Sequence, residues 1–157
     1  MNLQLDKFDR HILEILQEQG DITNRALAEA VGLSPPPCLK RVRRLKKAGV
    51  INKTVALLNP DKIGQGLVAF VDVEVESQQF ELMQIFEQKI LDQPEVLQCY
   101  MVSGDSDYLL VINITDMADY YRFVRDVLAK EPNILRYKTR FCMNRTKYST
   151  KLQTANY

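Results

Sequence analysis

The chain has one histidine and three cysteines in 157 residues, and no long apolar run; each scarcity removes a class of function. His11 stands alone in a helical stretch, so histidine-based catalysis and histidine metal ligation both lack material. Cys38, Cys99 and Cys142 are odd in number and widely spaced, with no C-x-x-C pair, which suggests neither a disulfide framework nor a zinc site. They read as small apolar groups. No phosphate-binding glycine loop and no nucleophile elbow is found. An enzyme is therefore not expected, nor a cofactor. The lack of a membrane-length apolar run, and of a signal-peptide core in MNLQLDKFDR, points to the cytoplasm and to no membrane partner.

Acid is also missing locally. No Asp or Glu lies between Glu29 and Asp61. Residues 1–60 carry 10 Lys+Arg against 6 Asp+Glu, a net +4, whereas residues 61–157 carry 11 against 14, a net −3. The overall charge of +1 hides this division. Only the first part suits a polyanion.

The acid-free stretch centres on Ser34-Pro35-Pro36-Pro37-Cys38-Leu39-Lys40-Arg41-Val42-Arg43-Arg44-Leu45-Lys46-Lys47. It reads as a short helix that starts sharply. Ser34 suits the cap, its hydroxyl accepting a first-turn N–H, and Pro35 suits the first helical position. Leu39, Val42 and Leu45 recur every third residue and predict a buried stripe. The cations take most of what remains. Alone, such a charge run reads first as a solvated helix face. What precedes it favours DNA. Asp6 to Gln19 reads as a helix with Phe8, Ile12, Ile15 and Leu16 on one face, ended by Gly20. Thr23 caps a second helix, Asn24 to Val31, with Ala26, Leu27, Ala30 and Val31 inward, and Gly32 opens a tight turn into the basic helix. Helix, tight turn, capped basic helix is the helix-turn-helix layout, whose second helix enters the major groove of double-stranded DNA.

From Val50 the pattern becomes extended, and Asn59-Pro60 marks a boundary. Val71, Val73 and Val75 alternate with acids as a strand buried on one face. Phe80, Met83, Phe86 and Ile90 fall at helical spacing, and Val96 to Val102 and Tyr108 to Ile114 read as strands about the turn Ser103 to Asp107. A helix capped by Asp116 carries Met117, Tyr120, Val124, Val127 and Leu128 inward, and a last strand covers Ile134 to Met143. The fold class is therefore α+β: an N-terminal helix-turn-helix domain (1–50), a connector (51–62) and a ferredoxin-like βαββαβ regulatory domain (63–157).

The string LDKFDRHILEILQEQGDITNRALAEAVGLSPPPCLKRVRRLKKAGVI closely resembles the N-terminal domain of the Lrp/AsnC (feast/famine) transcription regulators. The most specific parts are Leu33-Ser34-Pro35-x-Pro37-Cys38-Leu39-x-Arg41-Val42-Arg43-Arg44-Leu45 and Gly49-Val50-Ile51. Where the family often has a small polar residue, Pro36 stands here, and its ring disfavours the helical region for Pro35. Ser34, Pro36, Cys38, Lys40, Arg41, Arg43, Arg44 and Lys47 are the candidate DNA contacts.

Ser103-Gly104-Asp105-Ser106-Asp107-Tyr108 is the other stretch with chemistry in it. Glycine admits close backbone approach, and two carboxylates sit beside it, as the carboxylate and ammonium of a free amino acid would require. The same residues make an ordinary hairpin turn. The resemblance extends over nearly the whole chain, and it assigns Gly104, Asp105 and Asp107, with Ser103 and Tyr108, to a small-molecule effector site, the effector an amino acid. It implies a nucleoid-associated regulator that forms homodimers and assembles further. A dimer would place two basic helices about one DNA turn apart on a roughly palindromic site. An architectural DNA binder without an effector would use the same helix and show steep salt dependence with weak sequence preference.

Overall fold

The computed structural model describes residues 4–64 and 66–154. These form two compact units. One gathers the chain up to Leu58 with the segment from Lys147 onward, and the other spans Asn59–Thr146.

The first unit holds three helices, α1 (Lys7–Glu18), α2 (Asn24–Val31) and α3 (Pro35–Lys47). Each start has a physical cause. The Asp6 carboxylate accepts from the N–H groups of Phe8 and Asp9, and the Asp9 side chain accepts from the Asp6 N–H in return, a reciprocal capping box. Thr23 Oγ1 accepts from Ala26 N–H at 3.2 Å to open α2. Gly32, at φ 73°, ends it, because an L side chain is strained in the left-handed region. The core is Ile12, Leu13, Leu27, Ala28, Val31, Cys38 and Leu45. The inward faces are thus shifted slightly from those expected. Leu13 is buried where Phe8, Ile15 and Leu16 are only half-buried, and Ala28 is buried while Ala26 and Ala30 are exposed.

The second unit follows β1 (Leu67–Val75), α4 (Phe80–Leu91), β2 (Val96–Met101), β3 (Tyr108–Ile114), α5 (Met117–Phe123) and β4 (Ile134–Phe141). The βαββαβ order expected from the sequence is the order observed. The strands form one antiparallel sheet, β2-β3-β1-β4, with Val71 opposite both Leu110 and Thr139. Alternation sends Ala69, Val71, Val73, Val75, Tyr108, Leu110, Ile112 and Ile114 to the face covered by Phe86 and Ile90 of α4 and by Phe123, Val127 and Leu128. The opposite face carries cross-strand ion pairs, Asp72–Arg140 and Glu74–Arg136. The helix expected to run on to Leu128 instead widens into a π turn over Val124–Leu128, closed by Ala129 N–H donating to Val124 C=O at 2.8 Å. This wider turn keeps both Val127 and Leu128 buried.

The sequence reading runs the second domain to residue 157, but from Lys147 the chain returns to the first unit. The Gln17 side-chain amide donates to Leu152 C=O at 3.0 Å and accepts from Leu152 N–H at 2.6 Å. Arg10 donates to Thr154 C=O, and Lys151 pairs with Glu18. Side-chain to backbone bonds of this kind leave no hydrophobic period to read.

Candidate nucleic-acid interface and effector loop

Successive residues of a helix turn by 100°. On α3 the buried positions are Cys38 and Leu45, with half-buried Val42 between them. That spacing of four then three is the helical period, and it displaces the expected stripe of Leu39, Val42 and Leu45. Leu39 is exposed, at 36 %. Cys38, named as a candidate DNA contact, is fully buried, and burial pushes its thiol pKa up. It is a packing residue.

The side opposite the core carries Pro36, Lys40, Arg43 and Lys47, all exposed and spaced i, i+4, i+7 and i+11. Among the described residues, none of these three cations has a carboxylate within salt-bridge distance. Arg41 and Arg44 are different. Arg41 donates to Asp6 at 2.6 Å and to Asp9 at 2.9 Å, and Arg44 donates to Asp9 at 2.5 Å. Asp9 is fully buried. Two cations expected to face outward thus tie α3 to the start of α1, and their charge is largely neutralised there. Donating to the Asp6 and Asp9 carboxylates raises the pKa of Arg41 further, so it stays charged.

The first turn of α3 also departs from expectation. Pro35, Pro36 and Pro37 are all helical, so the restraint on the residue before proline is overcome here. A ring-fixed φ near the helical value suits all three, and none interrupts an intrahelical bond, because the first such bond is donated by Cys38 to Ser34 C=O at 3.3 Å. Ser34 stands at the cap position, but its hydroxyl makes no capping bond. The donors it would accept from are those of the second and third helical residues, and both are proline. Asn24 Nδ2 donates to Pro35 C=O at 2.9 Å and fixes α2 against this turn.

In the second unit, Ser103, Gly104 and Asp105 are exposed at the turn joining β2 to β3. Gly104 has φ 125°, a conformation that L residues rarely adopt. Asp107 is half-buried and bonded to neighbouring segments of the chain. Its Oδ2 accepts from Val75 N–H at 2.8 Å and its Oδ1 from Gln78 Nε2 at 2.6 Å, which secures the end of β1 and the chain leading to α4. Tyr108 is buried, with its ring 4.7 Å from that of Phe86 and its hydroxyl donating to Glu87 Oε1 at 2.8 Å. Burial, and then the Glu87 carboxylate, drive its pKa well above 10, so it stays neutral. Of the five residues expected around an effector, three share the exposed turn and two are built into the fold. A cavity of about 1080 Å³ lies elsewhere, in the first unit, lined by Leu13, Leu16, Val55 and Leu152 among others and by no residue of α3 or of the 103–108 turn.

The structural role of Asp6 and Asp9 was not anticipated. Acids three residues apart at a helix start do carry a signal, that of a capping box. Their pairing with α3 does not show in a linear sequence.

Residues 5–52 match the model of winged helix-turn-helix DNA-binding domains, and residues 68–152 match the Lrp/AsnC ligand-binding domain. The protein is therefore a DNA-binding transcription regulator with a ligand-binding domain. It is 41 % identical to an HTH-type transcriptional regulator of Haemophilus influenzae, over 91 % of this chain and 85 % of that protein. It is 38 % identical to the leucine-responsive regulatory protein of Escherichia coli, over 94 % of this chain and 90 % of that one. A Neisseria meningitidis transcriptional regulator solved as an L-Met complex superposes with a TM-score of 0.89 at 38 % identity, covering 95 % of this chain and 96 % of that one. An AsnC family regulator of Agrobacterium tumefaciens also superposes with a TM-score of 0.89 at 38 % identity, covering 94 % and 96 %. The chain belongs to the Lrp/AsnC family. Among the described residues no helix is long and apolar enough to cross a membrane.

Proposed function

We propose that this regulator binds its operator through Lys40, Arg43 and Lys47 of α3, and that an amino acid held at the Ser103–Asp105 turn modulates its assembly or its DNA affinity. The observation that carries the first part is the strip of cations opposite the α3 core, free of internal carboxylates. Unneutralised cations release counterions from DNA, whereas Arg41 and Arg44 already hold carboxylates. The second part is supported by the L-Met complex of the Neisseria regulator and by the exposed Asp105 carboxylate beside glycine backbone. Asp107 holds this turn in shape rather than touching the effector.

Two copies acting as a homodimer, assembling further, would present two α3 helices to a roughly palindromic site. The effector acts by binding one assembly or geometry more tightly than another, since only differential affinity shifts an equilibrium. The protein works as a regulator and not as an enzyme, in the cytoplasm and on the nucleoid.

A thermal melt against each common amino acid in turn tests the sensor. A ligand that binds only the folded state adds RT ln(1 + [L]/Kd), about 2.7 kcal/mol at a hundredfold excess over Kd. A shift confined to one chemical class identifies the effector. No shift with any amino acid favours the architectural reading, which the internal use of both Asp107 oxygens also supports.

A further inference from the structure

A helix ordinarily leaves four N–H groups unpaired at its start, and these make its N-terminus a ready seat for a phosphate. α3 lacks three of the four, because Pro35, Pro36 and Pro37 fill its first positions. The next N–H, that of Cys38, already donates to Ser34 C=O at 3.3 Å. The leading end of this helix therefore offers apolar ring surface where a helix-turn-helix protein commonly offers backbone donors. Pro36 lies on the side opposite the core, in line with Lys40 and Arg43. Leu39 stands three residues on and next to that line, and it is exposed at 36 % although the sequence pattern marked it as core. Both apolar residues belong to the N-terminal half of α3, the half that meets base edges when a recognition helix lies in the major groove.

The only apolar group a base pair displays in that groove is the C5 methyl of thymine, or of 5-methylcytosine. We propose that Pro36 and Leu39 form a methyl-reading patch, which makes this regulator select thymine at the base steps under the first turn of α3. The inference rests on α3 being the helix that enters the groove. The division of labour on the helix is then simple. Lys40, Arg43 and Lys47 supply attraction to phosphate, which is blind to sequence, and the two apolar side chains supply discrimination. A helix end stripped of three backbone donors also holds phosphate poorly at its tip, which leaves the tip for the bases.

The test uses the full-length protein and DNA selected by it from a random pool. Each thymine of the selected site is replaced in turn by deoxyuridine, which removes only the C5 methyl, and affinity is measured by fluorescence anisotropy at fixed salt. One or two positions in each half-site are expected to lose about fourfold per methyl, the worth of one buried methyl group. At those positions 5-methylcytosine should bind more tightly than cytosine. Pro36→Ser should bring the thymine-to-uracil ratio close to one while leaving the salt slope unchanged, and Leu39→Gln should reduce it. Equal affinity for thymine and deoxyuridine at every position overturns the proposal, as does an unchanged ratio in Pro36→Ser. If Lys40→Ala with Arg43→Ala leaves DNA binding intact, α3 is not the reading helix. That result removes the underlying interface together with the patch, and is distinct from loss of the methyl effect alone.

Discussion

The guanidinium of Arg41 on α3 donates at 2.9 Å to the carboxylate of Asp9 on α1, which is wholly buried. Arg44 and the Asp6 N–H complete the ring of donors around Asp9. Removing that acid takes the carboxylate away from Arg44 and leaves Arg41 with Asp6 alone. Asp9→Ala should cost about 1–3 kcal/mol, a figure kept below that for a fully buried pair because both arginines reach solvent. A urea melt of the protein reads this directly. A midpoint equal to that of the parent would show that the clamp adds nothing.

The same clamp separates the cations of α3 into two groups with opposite signatures. Lys40→Ala and Arg43→Ala should each lower the slope of log K against log salt by about one and leave the melting temperature unchanged. Arg44→Ala should lower the melting temperature and change the slope less, because its charge is held by Asp9. Measuring slope and melt on the three variants side by side checks both halves. Equal slopes for Arg43→Ala and Arg44→Ala would remove the distinction.

Acid should loosen the first unit as pH falls below the ordinary aspartate value of 3.8. The Asp9 N–H, and beyond it the Arg41 guanidinium, hold the Asp6 carboxyl below its ordinary 3.8. A carboxyl with a depressed folded pKa stabilises the fold at pH above the unfolded value, and that contribution fades as pH falls through the folded pKa. Stability followed from pH 5 downward should therefore fall less steeply in Asp6→Asn than in the parent. The Asp6 side chain is 48 % exposed, so the effect is modest. Superimposable pH profiles would take Asp6 out of the account.

Much of this architecture is legible along the chain because it rests on periodicity. Val71, Val73 and Val75 alternate in sequence and in burial, and the caps at Thr23 and Asp116 sit where the helical patterns begin. The site was less legible. Six cations crowd α3, and nothing in their order says that Arg41 and Arg44 will meet acids some thirty residues earlier. A period of three chose Leu39 for the core where the true helical turn chose Cys38. Asp105 and Asp107 look alike in the turn, yet strand register decides that only Asp107 meets Val75 N–H. Register and long-range pairing are properties of the folded chain, and a local pattern carries neither.

That contrast between Asp105 and Asp107 leads to a separation of roles within one turn. Asp107→Ala leaves the Val75 N–H and the Gln78 amide without their acceptor, and should destabilise the second unit by about 1–3 kcal/mol. Asp105 is exposed, so Asp105→Ala should melt with the parent yet lose the thermal shift given by the effector. Asp107→Asn keeps one carbonyl oxygen for Val75 and should recover part of the stability. Melts of the three variants, with and without the amino acid that shifts the parent, decide between the roles. If Asp105→Ala keeps the full shift, the exposed carboxylate is not an effector ligand, and the turn serves only to join β2 to β3.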